Sequence, residues 1–109
     1  MRSKPVIPSL DARQDVETEI DYYLVEEGSE QAALGFISEI EMAYTKLAKH
    51  PAMRSPRYAY ELDLPGLRSW PLKRYPHLVF YVEKADHVEV WRVINGARNI
   101  PAWLLDDSK

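Results

Sequence analysis

Leu78-Val79-Phe80-Tyr81-Val82-Glu83 is the run on which the fold turns. β-branched and aromatic side chains dominate it, and these favour a pleated, half-buried backbone. Lys84, Ala85 and Asp86 make a short hairpin connection, and Val88 to Ile94 supplies the second arm. Upstream, Leu67 to Lys73 reads as a further strand interrupted by Pro71. A proline removes a ladder donor, so that strand belongs at an edge or carries a bulge. Pro65-Gly66 is a turn signal, and Tyr60 to Leu64 can be another strand. Ala52 to Tyr58, with Pro56, reads as a basic loop. Downstream, Asn95-Gly96 ends the hairpin and Ile100 to Leu105 forms a short tail.

Before Pro51 the period is helical. Val16, Ile20, Tyr23 and Leu24 recur at helical spacing, with Asp15, Glu17, Glu19 and Asp21 between them. Asp11 is the expected N-cap, with Leu10 as a hydrophobic staple, and Gly28 is the expected stop. Ser29 then caps a second helix whose stripe is Ala33, Phe36, Ile37, Ile40, Tyr44 and Leu47. Lys46, Lys49 and His50 complement its C-terminal dipole before Pro51 ends it. Two helices joined so tightly run antiparallel. Residues 2–8, with Pro5 and Pro8, look extended and suit a sheet edge. The expected fold is α+β: an N-terminal edge strand and an antiparallel helical hairpin packed on a three- to four-stranded antiparallel sheet. It forms a single domain over residues 1–109.

Composition narrows the function. The chain has no cysteine, so disulfides and thiolate metal sites are excluded. No apolar run approaches the roughly 20 residues needed to span a bilayer, and no stretch has the design of a signal peptide. A cytoplasmic location is expected. Residues 1–50 carry five basic against ten acidic groups, and residues 51–109 carry nine against seven. Affinity for a polyanion scales with the phosphates neutralised, so direct nucleic-acid binding is not expected. The histidines, His50, His77 and His87, lack metal-ligand spacing. Neither a phosphate-binding Gly-Lys-Ser/Thr loop nor a Gly-x-Ser-x-Gly elbow is present. No cofactor is implied.

Several strings together resemble the ParE branch of the ParE/RelE toxin superfamily, from about Val6 to Leu105. Ala12, Asp15, Ile20 and Tyr23 fit its first helix, and Ala33, Phe36, Ile40 and the Leu47 to Pro51 exit fit its second. More specific are Leu64-Pro-Gly-Leu-Arg-Ser-Trp-Pro-Leu72, Val79-Phe-Tyr-Val82 and Val93-Ile-Asn-Gly-Ala-Arg-Asn-Ile-Pro101. The family commonly has His-Gly-Ala-Arg-Asp in the last string, from which this chain departs at Asn95 and Asn99. The resemblance implies the toxin half of a type II toxin–antitoxin system. It implies inhibition of DNA gyrase by protein–protein binding, a role in plasmid stabilisation, and a ParD-like antitoxin that lies along the toxin in a hetero-oligomer.

Related RelE-like toxins cut ribosome-bound RNA, a reaction needing a base, an acid and cations around the phosphate. The resemblance assigns these tasks to Lys, Arg and a C-terminal Tyr. Placed on the motif, the Arg after the Gly is kept as Arg98. The Arg leading the central strand falls on His77, and the Lys pair falls near Arg68 and Trp70. The Tyr falls near Trp103 or Leu104, which exchange no proton. If the chain were a nuclease, Arg68, His77 and Arg98 would be its candidates. The set is incomplete, so the expectation is a non-enzyme, with a ribosome-dependent endoribonuclease as the alternative and a decayed toxin that keeps only antitoxin binding as a third.

Partner contact is expected from Arg68, Trp70, Lys73, Arg74, Trp91, Arg98 and Trp103. Arg and Trp are enriched at interface hot spots. Arg68, Lys73 and Arg74 beside Trp70 and Tyr75 make either a basic aromatic contact surface or ordinary sheet charges around a core Trp. Trp91 and Arg92 point to opposite faces of a strand. If Val88, Val90 and Ile94 face the helices, Trp91 lies on an open face; with the faces reversed it is buried. Arg98 either serves a partner or pairs with Asp15 or Glu19 to lock the tail. Tyr22 and Tyr23 cannot both face inward.

Overall fold

The computed structural model describes residues 3–53, 56–97 and 100. Its elements are β1 (Val6–Pro8), α1 (Leu10–Asp21), α2 (Glu30–Lys49), α3 (Arg57–Leu62), β2 (Leu67–Pro71), β3 (His77–Glu83) and β4 (Val88–Asn95). A π-helical turn over Tyr22–Glu26 continues α1, and Gly28 at φ 61° then reverses the chain. That left-handed angle costs glycine little. Ser29 caps α2 as its sequence position predicts, accepting from the Ala32 amide.

The four strands lie in the order β1-β4-β3-β2. The β2–β3–β4 meander is antiparallel, as expected. β1 sits at an edge but pairs parallel to β4, so the sheet is mixed. At the other edge, the Leu72 amide donates to the His77 carbonyl, which sets the alternation of the β2–β3 ladder. That register turns Pro71 toward the free edge, so the proline loses no bond to β3.

The helical hairpin covers one sheet face. Ala12, Tyr23, Ala33, Phe36, Ile40, Ala43 and Leu47 pack on Trp70, Val79, Tyr81, Val88, Val90 and Val93. Phe36 and Leu47 are fully buried, worth roughly 1.5–3 kcal/mol each by transfer. Most of the stripe predicted for the two helices is this core, with Val16, Ile20 and Tyr44 packed at its margin; Leu24, 44% exposed, and the half-buried Ile37 fall outside it.

Four local expectations are corrected. The N-cap of α1 is Ser9, not Asp11: the Ser9 hydroxyl accepts from the Ala12 amide, and Leu10, inside the helix, is 82% exposed and staples nothing. Tyr60 to Leu64 does not form a strand. Tyr58, Ala59 and Leu62 fall on one helical face and pack under β2 and β3, while Tyr60 points to solvent. Asp63, in the left-handed region at φ 54°, ends α3. The far face of the sheet is not open: Ala59 and Ile100 join Leu67, Phe80 and Ile94 there in a second cluster. Finally, Val88, Val90 and Ile94 do not share a face. Phe80 pairs with Arg92 and Tyr81 with Val90, leaving Trp91 as the extra residue of a bulge. A bulge breaks the two-residue alternation, so Val93 faces the helices and Ile94 the far side.

Candidate functional site

Where β1 stops, α1 takes over the edge of β4 with side chains. The Ser9 hydroxyl donates to the Trp91 carbonyl at 2.8 Å. Asp15 accepts from the Val93 amide at 2.9 Å and from Arg92 Nε and Nη2 at 2.8 Å each. A bidentate guanidinium–carboxylate pair with a backbone amide on the same carboxylate fixes α1 against the bulge.

One helical turn on, Glu19 meets His77. His77 Nε2 lies 2.8 Å from Glu19 Oε1, and because an ionised carboxylate only accepts, Nε2 donates. The imidazole is 1% exposed and sits 4.8 Å from the Phe36 ring centre. Its Nδ1 is buried with no hydrogen-bond partner among the described residues. Tyr23, Phe36 and Tyr75 cluster beside it with centroids 5.5–5.8 Å apart, Tyr75 edge-to-face with each of the other two. Burial pushes the Tyr23 hydroxyl up to about 12, with the charge of Glu19 adding to it.

The loop between β2 and β3 is tied to α2 at two points. The Tyr75 hydroxyl donates to the Ala32 carbonyl at 2.7 Å, and the Lys73 amide donates to Glu39 Oε1 at 3.1 Å. Gly35 makes the first contact possible: a Cβ there would lie 2.5 Å from the Tyr75 hydroxyl. Between loop and helix lies a cleft of about 630 Å³ lined by Ala32, Gly35, Ser38, Met42 and the loop residues Lys73, Arg74 and Tyr75.

The residues predicted for partner contact therefore do not form one patch. Lys73 and Arg74 are exposed together on the cleft. Arg68 borders a different hollow with Pro56, Tyr60, Asp63 and Pro65. Trp70 is 5% exposed in the core, where the competing reading put it. Trp91 is half-buried against the far-face cluster. Arg98 and Trp103 lie outside the described residues, as do the positions after Ile100; Asp15 and Glu19, the carboxylates considered for Arg98, are engaged by Arg92 and His77. Sequence reasoning missed Gly35 and Glu39. The signal for Gly35 was a lone glycine inside a helical stripe, a choice costing about 1 kcal/mol against alanine and so pointing to a close approach. Glu39 gave none, since a lone glutamate on a helix reads as a solvated charge.

Among the described residues, no group of three or more His, Asp or Glu side chains could hold a metal ion, and no helix is long and apolar enough to cross a membrane.

Residues 6–100 match the family described as the ParE toxin of type II toxin-antitoxin system, parDE. A solved structure, the "Chromosomal ParDE TA system from P. aeruginosa", superposes with a TM-score of 0.70 at 20% identity. The likeness covers 85% of this chain and 96% of that one, and at such identity it speaks for the fold. No curated protein matches the sequence.

Proposed function

Because the chain belongs to the ParE toxin family of type II toxin–antitoxin systems, we propose that it inhibits DNA gyrase by gripping it, and that a ParD-like antitoxin neutralises it in a hetero-oligomer. The binding is non-covalent and the toxin is not an enzyme. It acts in the cytoplasm, where its target works.

The observation that carries the non-enzymatic reading is the position of His77. It is the residue that falls where an RNA-cutting relative places the arginine leading the central strand. Its ring is 1% exposed, hydrogen-bonded to Glu19 and packed on Phe36. A general acid or base must come within about 3 Å of the proton it moves, directly or through one water. A side chain held inside the core between α1, α2 and β3 has no such access. Lys73 and Arg74 can hold an anion, but a guanidinium is a poor base.

The test compares two targets with one purified protein. Supercoiling by gyrase should fall as the toxin is titrated in and recover on addition of the neighbouring gene's product. Translation in a cell-free system should continue with its messages intact. Cleavage of ribosome-bound message by the wild-type chain would overturn the proposal and establish the nuclease alternative. Failure to affect either target, with antitoxin binding kept, would leave the decayed toxin.

A further inference from the structure

We infer that the cleft between α2 and the Lys73-Arg74-Tyr75 loop is a docking site for an acidic peptide segment of a partner protein, the antitoxin being that partner on the reading above. Three observations converge. First, Lys73 and Arg74 are adjacent exposed cations with no ion pair among the described residues. Elsewhere Lys4 pairs with Glu83 and Arg92 with Asp15. Second, the loop is held in advance. Tyr75 and the Lys73 amide fasten it to Ala32 and Glu39, so little ordering entropy is lost on binding. Third, the opposite wall is small. Ala32 and Ser38 leave room for a peptide backbone beside Tyr75, and Met42, 47% exposed, offers an adaptable apolar contact.

The same geometry sets the chemistry of the occupant. Glu39 lines the α2 side of the cleft, so the occupant presents carboxylates to the loop and small or apolar side chains to the helix. A peptide meets that demand by alternation. A nucleic acid does not: it carries charge at every step, and two cations release too few counterions to hold it on a chain of net charge −3.

The experiment uses the full chain, a fluorescein-labelled Glu/Leu peptide, its Lys/Leu counterpart and a single-stranded RNA oligonucleotide, read by anisotropy. Lys73→Glu and Arg74→Glu are compared with Lys84→Glu, an equal charge change at the other end of β3. The acidic peptide should bind the wild type more weakly as salt rises. Each loop substitution should weaken it about tenfold, while Lys84→Glu changes it less than about twofold. Equal weakening by all three substitutions, insensitivity to all three, or tighter binding of the RNA would each overturn the inference. The same variants are then challenged with the neighbouring gene's product. If that protein binds wild type and loop variants alike, the docking site falls and the toxin–antitoxin reading stands. If it binds neither while the acidic peptide still needs Lys73 and Arg74, the site stands and the choice of partner falls.

Discussion

Gly35 and Tyr75 form a pair whose substitutions should not add. In the interior of a helix, glycine is less favourable than alanine by about 1 kcal/mol. Gly35→Ala alone, however, puts a methyl group 2.5 Å from the Tyr75 hydroxyl, and that oxygen must leave the Ala32 carbonyl. The lost hydrogen bond and displaced loop should outweigh the helical gain, for a net destabilisation of about 1–2 kcal/mol. In a Tyr75→Phe background the nearest ring carbon is 3.6 Å away, an ordinary contact, so the same Gly35→Ala change should stabilise by up to about 1 kcal/mol. The change of sign is measurable from urea midpoints of the four proteins. Additive effects would show that the close approach is not what keeps glycine there. At this scale the sequence was partly legible. Trp70 was weighed both as a contact and as a core residue, and its pairing opposite Val79 under α2 puts it in the core. The core role of His77 could not be read, because its partner, Glu19, lies 58 residues away and no local pattern announces it.

Among the elements, the two helix caps make a comparison. Ser29 serves only its own helix, accepting from Ala32. Ser9 accepts from Ala12 and also donates to the Trp91 carbonyl, continuing the edge of β4 beyond β1. Ser29→Ala should cost about 1 kcal/mol. Ser9→Ala should cost about twice that, because it also strands a half-buried carbonyl at the bulge. Chemical denaturation of the two variants at one pH checks the ordering; equal losses would mean that water replaces the serine on Trp91. This double use explains why Ser29 was found and Ser9 was not. A cap that serves one helix is local chemistry, whereas the choice between Ser9 and Asp11 is settled by a strand 82 residues on. The strands β3 and β4 were legible because side-chain type alone specifies them. The segment after Pro56 was not. Tyr60, Leu62 and Leu64 alternate like a strand, yet Tyr58, Ala59 and Leu62 also fit a helix, and only the apolar far face of the sheet, which that helix covers, decides between the two.

For the whole molecule, the hairpin-on-sheet layout follows from a break between two helical stretches at Gly28 and a change of period at Pro51, and could be read directly. What could not be read was the bulge at Trp91. One extra residue there sends Ile94 to the far face, where it helps build a second core, and frees Arg92 to reach α1. The resulting body rests on a helical hairpin whose buried tyrosines must stay neutral. Burial and the charge of Asp15 push the Tyr44 hydroxyl up to about 12, and Tyr23 on the π-helical turn is raised to about 12 as well. Exposed Tyr22 is raised by its hydrogen bond to Glu27. In the unfolded chain these groups ionise near 10. Below that value each is protonated in both states and contributes its full share of stability. As the pH rises past 10 the unfolded chain releases protons that the folded one still holds, so stability falls, and the contribution is lost as the pH passes about 12. The expected result is a urea midpoint that drops between pH 10 and 12, with Tyr23 and Tyr44 among the tyrosines that titrate late by tyrosinate absorbance. Tyr44→Phe should flatten the drop and remove one late titration, and Asp15→Asn should bring Tyr44 down in pH. An alkaline limb unchanged by Tyr44→Phe would mean that base opens the molecule elsewhere, before the hairpin lifts from the sheet.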